Sequence, residues 1–307
     1  MRALVTLTLV AALVACGSSR EGFDETNAPA GSGSGPGAPS LGEQAKPDDT
    51  PDKPCPNVDI LFVVDNSGSM SDKQARLAAS FPGFAAAIQS RLSGAKSVQV
   101  GVIASSAYYG SAPGSCLIKA TSGPESTKAT CLTDTPWLDS RDPSFASRFA
   151  CVAKVGAGGD NDEIPMKNLL GAIDAKNVAP SGCNAGFLRP DALLVVVMIS
   201  DEDDVREADC DATMFQGTCG SGGTPEDWAK KVVAAKGGHP ENVMVLSLLS
   251  RKAGVCSNMV NVNLASFTRR FDKNGFVGDV CDATYDGFFA SALPLVDRAC
   301  VSFVPPR

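Results

Sequence analysis

The chain has 307 residues, a formal net charge of -7 at pH 7, and 44% apolar but only 6% aromatic residues. This acidic balance argues against a nucleic-acid binder, which needs a concentrated excess of Lys and Arg to meet phosphate. The apolar fraction suffices for one large α/β domain or two small ones. His239 is the single histidine, and no C-x-x-C pair occurs, which argues against a structural zinc site.

Residues Met1 to Ala15 carry Arg2 and then an apolar run too short to span a bilayer as a mature helix, the pattern of an export signal. Its end, Leu13-Val14-Ala15-Cys16, resembles the lipobox of bacterial lipoproteins. That resemblance implies cleavage before Cys16, lipidation of Cys16 and a membrane-anchored protein of the bacterial cell envelope. Gly17, in place of Asp, resembles the pattern sent to the outer membrane. Residues 16–54 are rich in Gly, Ser, Pro, Ala and Asp and cannot bury a core, so they read as the lipidated cysteine and a flexible tether. Residues 55–307 carry the folded domain. Ten cysteines remain beyond Cys16, an even number that in an exported protein argues for disulfides. Cys116 with Cys131, and Cys210 with Cys219, read as local pairs, and Cys55 with Cys300 as a long-range pair joining the domain ends.

Ile60 to Val64 is an unbroken, largely β-branched run, the pattern of a strand covered on both faces in a parallel sheet. It stops at Asp65. Asp65, Ser67 and Ser69 then place oxygen donors at alternate positions, with Gly68 permitting a tight turn. Donors of oxygen alone suit a hard divalent cation such as Mg²⁺, with Mn²⁺ and Ca²⁺ as alternatives. D-x-S-x-S after an apolar strand resembles the metal-ion-dependent adhesion site (MIDAS) of von Willebrand factor A (VWA) domains, and this resemblance implies that Asp65, Ser67 and Ser69 are metal ligands. A polar strand-to-helix loop without metal is the alternative.

Ser71 opens a capping-box pattern with Gln74, and Leu77, Phe81, Phe84, Ile88 and Leu92 recur at helical spacing, with Pro82 predicting a kink. Ser97 to Ala104 is a second strand, so strand, helix and strand form the unit of a doubly wound, mostly parallel α/β sheet. Residues 105–140 break into Gly, Ser, Thr and Pro, predicting a hairpin-like insertion. A short helix is expected over Phe145 to Val155. The segment GAGGDNDEIPMKNLLGAI should supply a second metal loop and a helix with Met166, Leu169, Leu170 and Ile173 on one face. The resemblance implies a Thr ligand in that loop, but no Thr or Ser occurs from Ala153 to Val178. Asp160, Asp162 and Glu163 are the oxygens available, with Glu163 the first choice. Equally, these acids could serve only the helix N-terminus.

Ala192 to Ser200 is a second strongly apolar strand, and it too ends in an acid, Asp201. In a sheet of order 3-2-1-4-5-6 the first and fourth strands are neighbours at the switch point where ligands bind, so Asp65 and Asp201 should face one crevice. The resemblance assigns Asp201 to the third metal loop. Glu202, Asp203 and Asp204 read as a solvated loop or a weak calcium contact. Thr224-Pro225-Glu226-Asp227 starts a helix that ends at Gly237-Gly238, Val243 to Leu249 is a strand, a helix follows over Asn258 to Phe271, then a Gly- and Asp-rich loop, then a closing helix with Phe289, Leu293 and Val296.

The whole reads as a VWA fold with disulfide-bearing insertions. The resemblance implies a lipoprotein whose domain binds a divalent cation and adheres to a partner protein through an acidic side chain, with no catalysis. Two alternatives stand beside it. In a haloacid-dehalogenase-like phosphatase Asp65 would be the nucleophile, although Ser67 occupies the place of that family's second acid. In a structural envelope protein the metal loop would be vestigial.

Overall fold

The structure, a computed structural model, describes residues 57–122, 124, 126, 128–159, 163–204 and 220–306. The chain divides into two units, Met1–Asp48 and Asp49–Arg307. The first lies outside the described residues, as do Cys16 and the whole tether.

The described strands are β1 (Asn57–Val64), β2 (Ser97–Ala104), β3 (Tyr108–Tyr109), β4 (Ala112–Pro113), β5 (Leu138–Asp139), β6 (Ala192–Ser200), β7 (Val243–Leu249) and β8 (Gly275–Asp279). The helices are α1 (Ser71–Arg91), α2 (Phe145–Val152), α3 (Pro165–Ala172), α4 (Ala175–Val178), α5 (Pro225–Ala235), α6 (Val262–Arg269) and α7 (Asp286–Val301). Six strands form one sheet in the order β5-β2-β1-β6-β7-β8. All its pairings are parallel except that of β5 with β2. Chain order therefore reverses between β1 and β6, as expected of a doubly wound α/β sheet.

Every residue of β1, β6 and β7 is buried, which is why these strands read as continuous apolar runs and not as an alternation. Successive side chains of β1 go to opposite layers. Val58, Ile60, Phe62 and Val64 join a core with α1, α2 and α7, and Leu61 and Val63 join one with α3, α5 and α6. Phe62 anchors the first layer, its ring centroid 5.1 Å from Phe149 and 5.6 Å from Phe84. At the other end of the sheet the Arg189 guanidinium lies 2.7 Å from the buried Asp59 carboxylate, and Arg189 Nη1 donates to Ser97 Oγ at 2.8 Å, tying β1 to β2.

Several local expectations change. The capping box is not formed: a single 3₁₀ turn over Gly68–Met70 precedes the helix, and Gln74 Nε2 donates to the Asp65 carbonyl at 3.0 Å. The Gly- and Asp-rich segment after α6 is strand β8. Gly275 and Gly278 hide it in sequence, yet a Cβ on Gly278 would stand 2.4 Å from the Phe288 ring, so glycine there serves close packing. Cys116 bonds Cys183, and Cys131 bonds Cys151. The local pair Cys116–Cys131 is thus overturned, because residues 105–140 spread across the domain, contributing the β3–β4 hairpin and the edge strand β5, and reach partners in two other segments. Cys256 bonds Cys281. Cys300 is disulfide-bonded as well, while its expected partner Cys55 and the pair Cys210–Cys219 lie outside the described residues. Among the described residues no helix is long and apolar enough to cross a membrane.

Candidate metal centre

β1 and β6 run in register, Val64 opposite Ile199, and the Asp65 amide extends the ladder by donating to the Ile199 carbonyl at 2.9 Å. This register brings the acids that end the two strands to one place. Asp65 and Asp201 are 1% and 0% exposed. Between them runs a continuous chain of oxygens: Ser67 Oγ lies 3.0 Å from Ser69 Oγ, and Ser69 Oγ donates to Asp201 Oδ1 at 2.8 Å. Asp65 is itself held on both oxygens, Oδ1 accepting from the Ser67 amide at 2.8 Å and Oδ2 from Ser200 Oγ at 2.6 Å. The structure therefore gathers Asp65, Ser67, Ser69 and Asp201.

The second loop docks on the same place by its ends. The Gly159 amide donates to the Asn66 carbonyl at 2.7 Å and the Ile164 amide to the Ser105 carbonyl at 3.0 Å. A Cβ on Gly159 would lie 2.4 Å from both Asn66 Nδ2 and Ser106 Oγ, so a side chain there would have to displace Asn66 or Ser106. Glu163 is buried, next to the residue that bonds Ser105. Asp160 and Asp162 lie outside the described residues.

The acids after Asp201 are not a solvated loop. Asp203 accepts the amides of Val262, Asn263 and Leu264 at 2.9, 2.8 and 3.1 Å and so caps α6. Asp204, fully buried, accepts the Met166 amide at the start of α3 at 2.9 Å, and the amide and hydroxyl of Ser221 at 2.8 and 2.6 Å. Burial pushes the Asp204 carboxyl up from the ordinary 3.8 to about 6. Glu202 is half-buried; burial first, then the charges of Asp65 and Asp201, raise its pKa, and a hydrogen bond from Ser69 opposes them.

Three contributors had no sequence signal strong enough to single them out. Ser200 is the last strand residue, where a hydroxyl reads as an ordinary strand end. Asn66 accepts the Ser106 amide and hydroxyl at 3.2 and 3.0 Å through Oδ1, fixing the loop after β2. Lys73, one helical turn past Ser69, is 3% exposed, and its ammonium lies 3.0 Å from Asp201 Oδ2. The same ammonium donates to the carbonyls of Ser69 and Cys256 at 2.9 and 3.0 Å. Helical periodicity marks such a lysine only as a break in an apolar face.

Burial raises the pKa of Asp65, with Asp201 adding to the rise and the Ser200 and Ser67 hydrogen bonds opposing it. Two carboxylates this deep and this close need positive charge, and Lys73 supplies one unit of it. The donor set fits a hard cation. Octahedral Mg²⁺ with oxygens at about 2.1 Å places neighbouring ligands about 3 Å apart, which is the spacing of the two serine hydroxyls and of Ser69 with Asp201. Among the described residues no group of three or more His, Cys, Asp and Glu converges to hold a metal, so a cation here depends on the serine hydroxyls. Beside Ser69 and Asp201 the surface opens into a cleft of about 490 Å³, also lined by Glu202 and the loop 254–259. A larger hollow of about 890 Å³, at the C-terminal ends of α3 and α5, lies away from these carboxylates.

No protein-family model matches the chain, and no curated protein matches it in sequence. Solved structures resemble it in shape. Proximal thread matrix protein 1 from the mussel byssus is 14% identical at a TM-score of 0.42, the alignment covering 78% of this chain and 48% of that one. Another structure of that mussel protein is described as having a zinc-occupied MIDAS motif. A von Willebrand factor type A protein from Catenulispora acidiphila is 13% identical at a TM-score of 0.40, covering 80% of this chain and 43% of that one. The pilus adhesin SpaC from Lactobacillus rhamnosus GG is 15% identical at 0.43, covering 80% and 30%. The chain thus spans less than half of each of these proteins, and likenesses at this level say nothing of what it binds.

Proposed function

We propose that this domain binds a divalent cation, Mg²⁺ before Mn²⁺ or Ca²⁺, and uses it to capture an acidic side chain of a partner protein. The observation that carries the reading is the convergence of Asp65, Ser67, Ser69 and Asp201 at the switch point, with ligand-to-ligand spacings of 2.8 and 3.0 Å. When bound, the cation would supply a centre of positive charge able to accept a carboxylate. Asp65 and Asp201 offer it charge, and the serine hydroxyls offer oxygens without further charge, which leaves part of the cation's charge for an incoming acid. Ser200 and the Ser67 amide orient Asp65, and Gln74 fixes the backbone from which it projects.

Glu163 does not converge with Asp65 and Asp201 as a third acid among the described residues, and it enters the proposal as the available replacement for the missing Thr, buried next to the Ile164 amide that bonds Ser105. Its charge would tighten cation binding while weakening the pull on an acidic ligand. We read the domain as a binding module and not a catalyst: the one histidine, His239, sits before β7 in the loop after α5, away from the carboxylates. The lipobox-like sequence at Cys16 and the long tether support display from a bacterial membrane, on the outer membrane where there are two.

Calorimetric titration of the protein with Mg²⁺, Mn²⁺ and Ca²⁺ tests the centre. Asp65→Ala should abolish the binding heat, and an unchanged titration would refute the assignment. Turnover of a generic phosphate ester would overturn the binding-module reading, and failure of Cys16→Ser to abolish lipid labelling would overturn the anchor.

A further inference from the structure

The loop between β7 and α6, with the first residue of that helix, carries four apolar side chains outward: Val255 is 60% exposed, Met259 44%, Val260 38% and Val262 63%. Val255 and Met259 line the same cleft as Ser69 and Asp201. The loop is strongly restrained. Cys256 is bridged to Cys281, and its carbonyl accepts the Lys73 ammonium. Ser257 Oγ donates to the Asp201 carbonyl at 2.8 Å, Ser250 Oγ to the Met259 carbonyl at 2.7 Å, and Asn261 Nδ2 to the Glu202 carbonyl. A slack loop would fold such side chains inward. Here polar contacts and a disulfide hold them in solvent, and Val255 and Met259, kept exposed where they line the cleft beside Ser69 and Asp201, mark an interaction surface. Arg251 and Lys252, also exposed, stand on the same loop, and neither forms an ion pair among the described residues.

We infer that this loop is a docking surface for a partner segment in which an acidic residue is flanked by apolar ones. The acid enters the cleft over Ser69 and Asp201, its apolar neighbours rest on Val255 and Met259, and Arg251 and Lys252 meet further acids. Charge complementarity selects this occupant: the exposed basic pair favours an acidic chain, the one acid that enters beside Glu202 is held by the cation, and the apolar side chains offer nothing to a purely charged chain. The acidic end of the contact rests on the cation reading given above; the apolar end does not.

The test uses the full chain and fluorescent peptides, one with a single Asp between Leu and Phe, one with the same Asp between Gly and Ser, and one with Asn replacing Asp in the apolar context. Anisotropy in Mg²⁺ should show the first binding at least about tenfold more tightly than either of the others, as expected for burying two half-exposed apolar side chains and pairing one charge. Combined Val255→Ser and Met259→Ser should erase the preference over the Gly/Ser peptide while calorimetric Mg²⁺ binding stays unchanged. Equal binding of the peptides, or a preference that survives the double change, overturns the surface. Absence of Mg²⁺ binding with the peptide preference intact overturns the cation reading and leaves the surface standing.

Discussion

Replacing Lys73 by methionine deletes an ammonium while keeping the apolar stem. That ammonium lies 3.0 Å from Asp201 Oδ2, with the two side chains 3% and 0% exposed. At an effective dielectric of about 20, a pair at that distance attracts by roughly 5 kcal/mol. Removing one partner of a buried pair costs about 3–5 kcal/mol, because the remaining charge stays buried without compensation. The Ser69 and Cys256 carbonyls lose a donor at the same time. A divalent cation at the centre would replace the lost neutralisation, and because it stabilises the parent as well, only the difference in cation affinity between the two offsets the loss. Urea unfolding should therefore show a loss of about 3–5 kcal/mol in EDTA, reduced in excess Mg²⁺ by about 1.4 kcal/mol for each tenfold by which the variant binds the cation more tightly than the parent. Calorimetry should show Mg²⁺ binding at least about tenfold more tightly, a gain of about 1.4 kcal/mol, since no fixed cation competes for Asp201. Equal destabilisation in both media, or weaker Mg²⁺ binding, would show that Lys73 builds the site and does not compete for it.

Asp204 holds its proton up to about pH 6 in the folded chain against an ordinary 3.8, so between about pH 4 and 6 the folded state binds more protons than the unfolded one. Asp204 alone should make stability fall by up to about 3 kcal/mol as pH rises through that window, and denaturant titrations of Asp204→Asn at both ends should show a slope smaller by that amount, with an unchanged slope refuting the assignment. Paired Cys116→Ala and Cys183→Ala changes open a bridge of sequence separation 67 and should cost about 4 kcal/mol on the chain-entropy account, read as a lowered urea midpoint. Glu163→Thr should weaken Mg²⁺ binding by calorimetry yet keep or improve capture of the acidic peptide; loss of both would show that Glu163 supports the loop. Gly278→Ala forces a methyl against Phe288 and Leu248 and should lower stability by about 1–3 kcal/mol, with unchanged stability refuting the packing argument.

The parallel core was legible because burial on both faces leaves its mark in composition: β1, β6 and β7 are unbroken apolar runs, and their order through the βα alternation gave the switch point. The convergence of Asp65 with Asp201 followed from that order alone. What escaped notice depends on partners far away in sequence. β8 is a half-buried edge strand whose glycines are set by Phe288, and the pairing of Cys116 with Cys183 depends on where an irregular segment travels. Asp203 and Asp204 form part of an acidic run, and nothing local shows that each closes a different helix terminus. Lys73 reads only as a break in the apolar face of α1 until that helix is packed beside Asp201.

The Cys116–Cys183 bridge bears on how the site comes into being. Ser69 and Asp201, which must meet to complete it, are 132 residues apart, a separation that makes their encounter entropically slow and late in folding. The bridge takes a shortcut across the chain between them and roughly halves the contour that has to be searched. An oxidised chain should thus bring Ser69 and Asp201 together sooner than a reduced one, even where both reach the same final fold.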